Sequence, residues 1–264
     1  MKNLDRRSFG ATVVSGITAS AVSGQSEQGV QAVGPLVGHV SNDSAKIWYR
    51  PAQVGTYELQ IQDAEQRGDT KTFQAESLSE NDLCVIWHIP DLKPDSIYHY
   101  EIMKAGKVIP AEGVQKFTTA PADLAKTKVS LAFGSCAESR PLQLWNQMEQ
   151  HGADGLVLLG DTPYIDSTDL ATQRGKHREF LRIPELSGFG RSHPVWGTWD
   201  DHDFGRNDSD GNLPGKENSR KAFLEYRALD SYGEDDQGVY TKFRRAGVEV
   251  FLLDTRWFAR TESS

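Results

Sequence analysis

The sequence predicts an all-β sandwich over residues 29–120, followed by an α/β domain over residues 128–264. Between about 30 and 120, short segments alternate apolar and polar residues, which is the period of a half-buried strand. After about residue 128 the apolar segments become short continuous runs, which are typical of strands buried on both faces. The change from one pattern to the other indicates two units of different fold class.

Residues 1–28 are predicted to be a twin-arginine export signal. Arg6 and Arg7 precede the uncharged, weakly apolar run "ATVVSGITASAVSG", and an arginine pair ahead of such a run is typical of this signal. The run is too short and too rich in Gly, Ser and Thr to span a membrane stably. We therefore expect transient passage through a membrane by the twin-arginine route and a periplasmic or secreted protein. The alternative is a disordered tail with a chance arginine pair.

Composition excludes some partners. The chain has 264 residues, with 29 Lys and Arg against 37 Asp and Glu, a formal charge of −8. An acidic surface argues against nucleic acid as a specific partner and against an anionic membrane. Two cysteines, Cys84 and Cys136, do not make a disulfide framework.

Five short segments predict the strands of the sandwich: "SAKIWYR", "TYELQIQD", "CVIWHIP", "IYHYEIM" and "VQKFTTA". Clusters of Pro, Asp, Asn and Gly separate them, as in β-sandwiches. The stretch "DLKPDSIYHYEI" resembles the fibronectin type III pattern, in which Leu-x-Pro precedes a tyrosine-bearing strand. That resemblance implies a fibronectin III or Ig-like sandwich with Trp48 in its core, followed by the linker "TTAPADLAKTK".

Four apolar runs predict the strands of the second unit: "KVSLAF", "GLVLLG", "HPVWGTW" and "VEVFLLD". Between the first two lies "PLQLWNQMEQHGAD", whose apolar residues recur at helical spacing. A second helical pattern, "KENSRKAFLEYRALD", precedes the last run. Strands that alternate with helices predict an α/β arrangement.

Chemically reactive side chains follow every one of these four strands. Cys136 follows the first, Asp161 and Tyr164 the second, Asp201 and His202 the third, and Arg256 the fourth. Each residue alone has an ordinary structural explanation, such as packing, capping or a surface ion pair. Sites in open α/β sheets form at the carboxyl ends of the strands. The four strand ends together therefore predict one functional site.

The third strand end, "TWDDHDFGRND", crowds aspartates around His202 at a density that should weaken the fold unless cations compensate. Asp161 and Asp201 offer hard oxygens suited to Mg, Ca, Mn or ferric iron, whereas a Cys136 thiolate with a Tyr164 phenolate would favour Fe(III). Two metals about 3.5–4 Å apart can activate a hydroxide for in-line displacement at phosphorus.

The two remaining candidates would act on the phosphate ester itself. His202 could protonate the leaving oxygen or contact the phosphate. Arg256 could hold a phosphoryl oxygen with two donors.

The motifs "FGSC", "LGDTPYID", "TWDDHDFGRND" and "FLLDTRWFAR", in this order, resemble the PhoD-like alkaline phosphatase/phosphodiesterase family of the calcineurin-like metallophosphoesterases. The resemblance implies a ferric ion held partly by Cys136 and Tyr164, with Asp161 bridging to calcium, which rests on the resemblance alone. It also implies that Asp201 is a ligand and that small phosphomonoesters, phosphodiesters or both are hydrolysed outside the cytoplasm. Neighbouring candidates without an assigned role are Asp200, Asp203, Asn207, Lys216 and Asn218.

One departure from the family pattern is a later Gly-Asp-x-His motif, which these residues do not contain. We therefore expect residues 128–264 to be the N-terminal portion of the catalytic domain, with the sequence a fragment of a longer gene. Strands such as "VEVFLLD" would then lack partners and expose apolar surface, and the chain by itself would have little or no activity.

Two other functions stay open on the sequence. The first is a truncated, catalytically inactive exported binding protein. The second is a cysteine hydrolase that uses Cys136 and His202, which leaves Asp161, Tyr164 and the acidic block unexplained.

Overall fold

The computed structural model describes residues 31–65, 70–122, 128–140 and 143–261. The predicted export signal lies outside these residues. Within them, β-sheet is the main regular structure. No helix in the described part of the chain combines the length and the apolar character that crossing a membrane requires.

Two antiparallel sheets form the first unit. Its strands are β1 (Val33–Val40), β2 (Ala45–Arg50), β3 (Gly55–Asp63), β4 (Thr70–Ser77), β5 (Val85–Ile89), β6 (Ile97–Lys104), β7 (Lys107–Val108) and β8 (Lys116–Thr118). One sheet has the order β1-β2-β5, and the other has the order β4-β3-β6-β7 with β8 paired to β6. Between β4 and β5 lies a short 3-10 helix, Ser79–Asn81.

Alternation along the strands builds the core between these sheets. Tyr57, Leu59 and Ile61 of β3 are buried at every second position, and β6 repeats the pattern. Trp48 is buried as predicted, but it does not belong to this core. Its neighbour Ile47 occupies the inner face of β2, so the period of two turns Trp48 to the opposite face.

A parallel sheet, an antiparallel hairpin and the helices between their strands form the second unit. The elements are β9 (Leu131–Gly134), α1 (Gln143–Gln150), β10 (Gly155–Leu159), α2 (Leu170–Leu181), α3 (Pro184–Gly190), β11 (Val195–Thr198), α4 (Asp201–Phe204), α5 (Lys216–Tyr226), β12 (Thr241–Arg245) and β13 (Val248–Leu252). The parallel sheet has the order β11-β10-β9, and β12 and β13 form an antiparallel hairpin. Helix α1 connects β9 to β10, while α2 and α3 connect β10 to β11.

The prediction that all four apolar runs are buried on both faces is wrong for β9 and β13. Phe133 of β9 is 54% exposed and Phe251 of β13 is 62% exposed. Strand β13 does have a partner, because β12 pairs with it along its length. Leu253, just after β13, is also exposed.

The two units also share a hydrophobic cluster, separate from the core between the two sheets of the sandwich. Leu36 and Trp48 of the sandwich lie in the same buried cluster as Leu186 and Phe189 of α3 and as Tyr226 at the end of α5. Trp48 donates its indole N–H to the carbonyl of Glu225 at 2.8 Å. The sandwich is therefore packed against the second unit.

Asp82, next to the 3-10 helix, joins the units by polar contacts. Its carboxylate accepts hydrogen bonds from Arg50 Nε at 3.1 Å, from Arg178 of α2 and from the Tyr226 hydroxyl. Burial alone would raise the pKa of Asp82, but the bonds from Arg50 and Tyr226 and the charges of both arginines lower it overall. The ionised carboxylate therefore stabilises the folded chain.

We predict that Asp82→Asn lowers the free energy of unfolding at neutral pH by about 2 kcal/mol, because hydrogen bonds to a charged group are lost. The pKa of Asp82 is lower in the folded chain than its unfolded value of about 3.9, so its contribution is complete above that value. The contribution disappears as the pH falls through the folded pKa. Urea unfolding of the native chain and the variant between pH 7 and pH 3 measures this.

The matched control is Glu179→Gln on α2, which removes only an exposed ion pair with Lys176. It should change the stability by less than about 1 kcal/mol. A stability difference for Asp82→Asn that does not shrink on acidification would contradict the assignment.

Candidate metal centre

Parallel pairing brings the carboxyl ends of β9, β10 and β11 to one edge of the sheet. Beyond β9, the Cys136 N–H donates to the carbonyl of Gly160 at 3.2 Å, and the Ala137 N–H to that of Asp161 at 3.1 Å. Gly160 has a φ of +102°, and a Cβ there would lie 2.4 Å from the nitrogen of Asp200. Only glycine therefore allows the loops after β10 and β11 to approach this closely.

Five predicted side chains meet at this edge. Asp161, Asp201 and His202 each have a ligand atom within 4.8 Å of the others. Cys136 Sγ lies 3.4 Å from Asp161 Oδ2, and both residues are close enough to the Tyr164 hydroxyl to raise its pKa. Oδ1 of Asp161 faces the other way and accepts the main-chain N–H of His202 at 3.3 Å.

The donors fit a highly charged transition-metal cation. A hydrogen bond to Cys136, burial, and the charges of Cys136 and Asp161 raise the pKa of Tyr164 to about 12. The Asp161 carboxylate is among the groups that disfavour the phenolate. A cation would reverse this effect, and thiolate, phenolate and carboxylate together are ligands suited to Fe(III).

His202 is oriented by a residue that the sequence analysis missed. Its Nδ1 lies 2.6 Å from Asp166 Oδ1, and its ring centroid lies 4.6 Å from that of Tyr164. Burial alone would lower the pKa of the imidazole, but the hydrogen bond and charge of Asp166, with Asp161 and Asp201, raise it overall. Asp166 lies inside the motif "LGDTPYID", where an acidic residue soon after the strand end was the available signal.

Arg256 reaches the same edge, where it is paired to an acid. Its Nε donates to Asp200 Oδ1 at 2.6 Å, and one terminal nitrogen lies 4.0 Å from Asp201 Oδ2. The other terminal nitrogen donates to the carbonyl of Ser209 at 3.3 Å. Arg256 therefore neutralises part of the acidic block and lies next to the predicted ligand Asp201.

The additional candidates hold the surrounding loops. Lys216 Nζ donates to the carbonyl of Gly211 at 2.7 Å and lies 4.1 Å from the Trp257 ring centroid. Asn218 donates to the carbonyl of Thr168 at 3.1 Å, and Asn207 donates to Asp208 at 2.6 Å.

Asp203 is buried under the site. The pKa of this carboxyl is raised to about 7 by burial, against the opposing effect of hydrogen bonds from the main-chain N–H groups of Asp200 and Thr162.

We predict that Asp161→Asn weakens ferric ion binding by at least about tenfold, because it removes a charge from the side chain that faces both Cys136 and His202. Metal content after reconstitution and dialysis measures this. The control Glu249→Gln removes an exposed ion pair with Lys242 on the hairpin and should keep the native metal content. Equal retention of iron by Asp161→Asn and the native chain would exclude Asp161 as a ligand.

The sequence was compared with curated proteins and with models of protein families. No curated protein matches the sequence. A family model described as a domain of unknown function, DUF7800, matches residues 31–121.

Two solved structures are similar over 85% of this chain. The structure of PhoD is 20% identical with a TM-score of 0.72, and 52% of that chain is covered. The purple acid phosphatase PPD1 from seeds of yellow lupin (Lupinus luteus) is 11% identical with a TM-score of 0.63, and 46% of that chain is covered. The chain thus spans about half the length of these structures, and it shares their fold.

Proposed function

We propose that the chain is part of an exported, metal-dependent phosphoesterase of the alkaline phosphatase or phosphodiesterase kind that hydrolyses small phosphate esters. The observation that carries this proposal is the meeting of a thiol, a phenol, two carboxylates and an imidazole at one sheet edge. Similarity to the fold of PhoD and of a purple acid phosphatase supports a metallophosphoesterase.

The proposed organisation has three parts: an export signal over residues 1–28, a fibronectin III-like sandwich over 29–120, and the N-terminal portion of a PhoD-like catalytic domain over 128–264. The exposed apolar side chains of Phe133, Phe251 and Leu253 support further packing elements against the second unit. An exported enzyme of this kind would act in the periplasm or outside the cell.

Cys136, Asp161, Tyr164 and Asp201 would hold a ferric ion, and Asp161 would also face a calcium ion. The two oxygens of Asp161 contact different neighbours, Cys136 Sγ and the His202 N–H, so Asp161 lies between the segments that supply the other proposed ligands. When bound, the cations would supply Lewis acidity and lower the pKa of a water molecule.

His202 and Arg256 would act on the phosphate ester. Because Nδ1 of His202 is taken by Asp166, Nε2 is the nitrogen that can protonate the leaving oxygen or contact the phosphate. The partnership of Arg256 with Asp200 fixes its guanidinium beside Asp201, where it would hold a phosphoryl oxygen.

A truncated, catalytically inactive exported binding protein is the second candidate. It is supported by the finding that only one group of three acidic or imidazole ligands occurs within the described residues. A cysteine hydrolase has less support, because the described contacts of Cys136 and His202 go to Asp161 and Asp166, with no bond between the two.

We predict that any hydrolysis of p-nitrophenyl phosphate or its bis ester is lost after chelation and returns with Fe(III) and Ca(II), because the metals activate the water. Both the 264-residue chain and the product of its complete reading frame should be assayed, and the shorter one should be much less active. Activity that survives chelation and is lost in Cys136→Ser would favour the cysteine hydrolase. Absence of both bound metal and hydrolysis in the longer product would favour the binding protein.

We predict that His202→Gln lowers kcat by about 10²-fold or more and that Asp166→Asn lowers it by about tenfold, because the imidazole loses its fixed orientation. Steady-state kinetics on the active product measures both. The control Asp169→Asn changes an exposed helix cap that holds Thr172 and should leave kcat unchanged. A native kcat in Asp166→Asn would show that the pair with His202 does not serve the reaction.

A further inference from the structure

We infer that Asp203 and Arg227 are positioning residues of the metal-binding loops, which they hold together through the main chain of Thr162. The inference rests on the proposed function, because it assigns these residues to the same metal centre. Neither residue is needed as a ligand, and neither was given a role by the sequence.

Thr162 directly follows Asp161, and both polar groups of its main chain are held. Its N–H donates to Asp203 Oδ2 at 3.4 Å, and its carbonyl accepts from a terminal nitrogen of Arg227 at 2.7 Å. A movement of the Thr162 main chain would carry the Asp161 carboxylate with it. The two buried side chains therefore restrict where Asp161 can lie.

Asp203 also holds the neighbouring loop. Its Oδ1 accepts the N–H of Asp200 at 2.6 Å, and Asp200 directly precedes the predicted ligand Asp201. The carbonyl of Asp203 accepts from the buried Gln173 of α2 at 2.9 Å. One carboxylate thus connects the loop after β10 to the segment after β11, and each of the two supplies a predicted ligand.

Burying this pair is costly. Asp203 and Arg227 are each 3% exposed, and Arg227 Nε has no acceptor among the described residues. Buried charges with an unsatisfied donor contribute little net stability compared with apolar side chains of similar size. Geometry at the metal centre is a function that would justify keeping them.

The sandwich fixes the segment that carries Arg227. On one side, Trp48 donates to the carbonyl of Glu225 at 2.8 Å. On the other side, the His39 N–H donates to the carbonyl of Ala228 at 2.7 Å. A Cβ at Gly38 would lie 2.3 Å from that same carbonyl oxygen, so only glycine permits this close approach. The first unit therefore gives Arg227 a rigid position beneath the metal loops.

The test compares Co²⁺ binding by the native chain, Arg227→Met, Arg227→Lys and the control Arg178→Met. The control removes an ion pair between the units but does not touch Thr162. Calorimetric titration gives the dissociation constant, and the thiolate absorbance of bound Co²⁺ reports the contact with Cys136. Thermal unfolding of the metal-free proteins reports stability separately.

We expect Arg227→Met to raise the dissociation constant by about tenfold or more and to weaken the thiolate band. Arg227→Lys should recover part of the Co²⁺ affinity and part of the thiolate band, because an ammonium group can still donate to the carbonyl of Thr162. Arg178→Met should lower the melting temperature and leave Co²⁺ affinity within about twofold. If Arg227→Met does not fold, Arg227→Lys and Asp203→Asn provide the same comparison.

Variants of Arg227 and Asp203 that lose stability but bind Co²⁺ as tightly as the native chain would overturn the inference, because their role would be structural only. Absence of Co²⁺ binding by the native chain is a different result. It would contradict the proposed metal centre itself.

Discussion

The parallel pairing of β9, β10 and β11 is the constraint on which the site depends. Gly134 of β9 is paired with Leu158 of β10, and Leu159 is paired with Thr198 of β11. This register brings the residues that follow the three strands to the same level of the sheet. Cys136, Asp161 and Asp201 meet because three parallel strands end together, and a shift of one strand would separate them.

Charge balance explains how the chain tolerates so many acids in one place. Arg256 neutralises Asp200, a buried arginine lies near Asp203, and Asp166 is paired with His202. The carboxylate of Asp161 has a thiol, a phenol and a main-chain N–H as its neighbours. The positive charge that this position lacks is what bound cations would supply.

The sequence predicted the strand ends well and the long-range contacts poorly. The short apolar runs that precede Cys136, Asp161 and Asp201 can be recognised from local patterning. Because the carboxyl ends of parallel strands lie at one edge of a sheet, the placement of these three residues at that edge could be predicted. The pairing of Asp166 with His202 depends on how the loop after β10 folds back, and the periodicity of apolar residues does not predict the path of a loop. Trp48 was expected inside the sandwich, but its position on the outer face of β2 puts it against α5. Packing between the two units depends on how their surfaces fit together, and the residue pattern of a single strand does not predict that fit.

Anomalous diffraction from crystals of the native protein grown with iron tests the central claim most directly. We predict an iron peak within bonding distance of Cys136 Sγ, the Tyr164 hydroxyl and carboxylate oxygens of Asp161 and Asp201. Crystals with no iron peak among these four side chains, or with iron bound only elsewhere on the chain, would contradict the proposed metal centre.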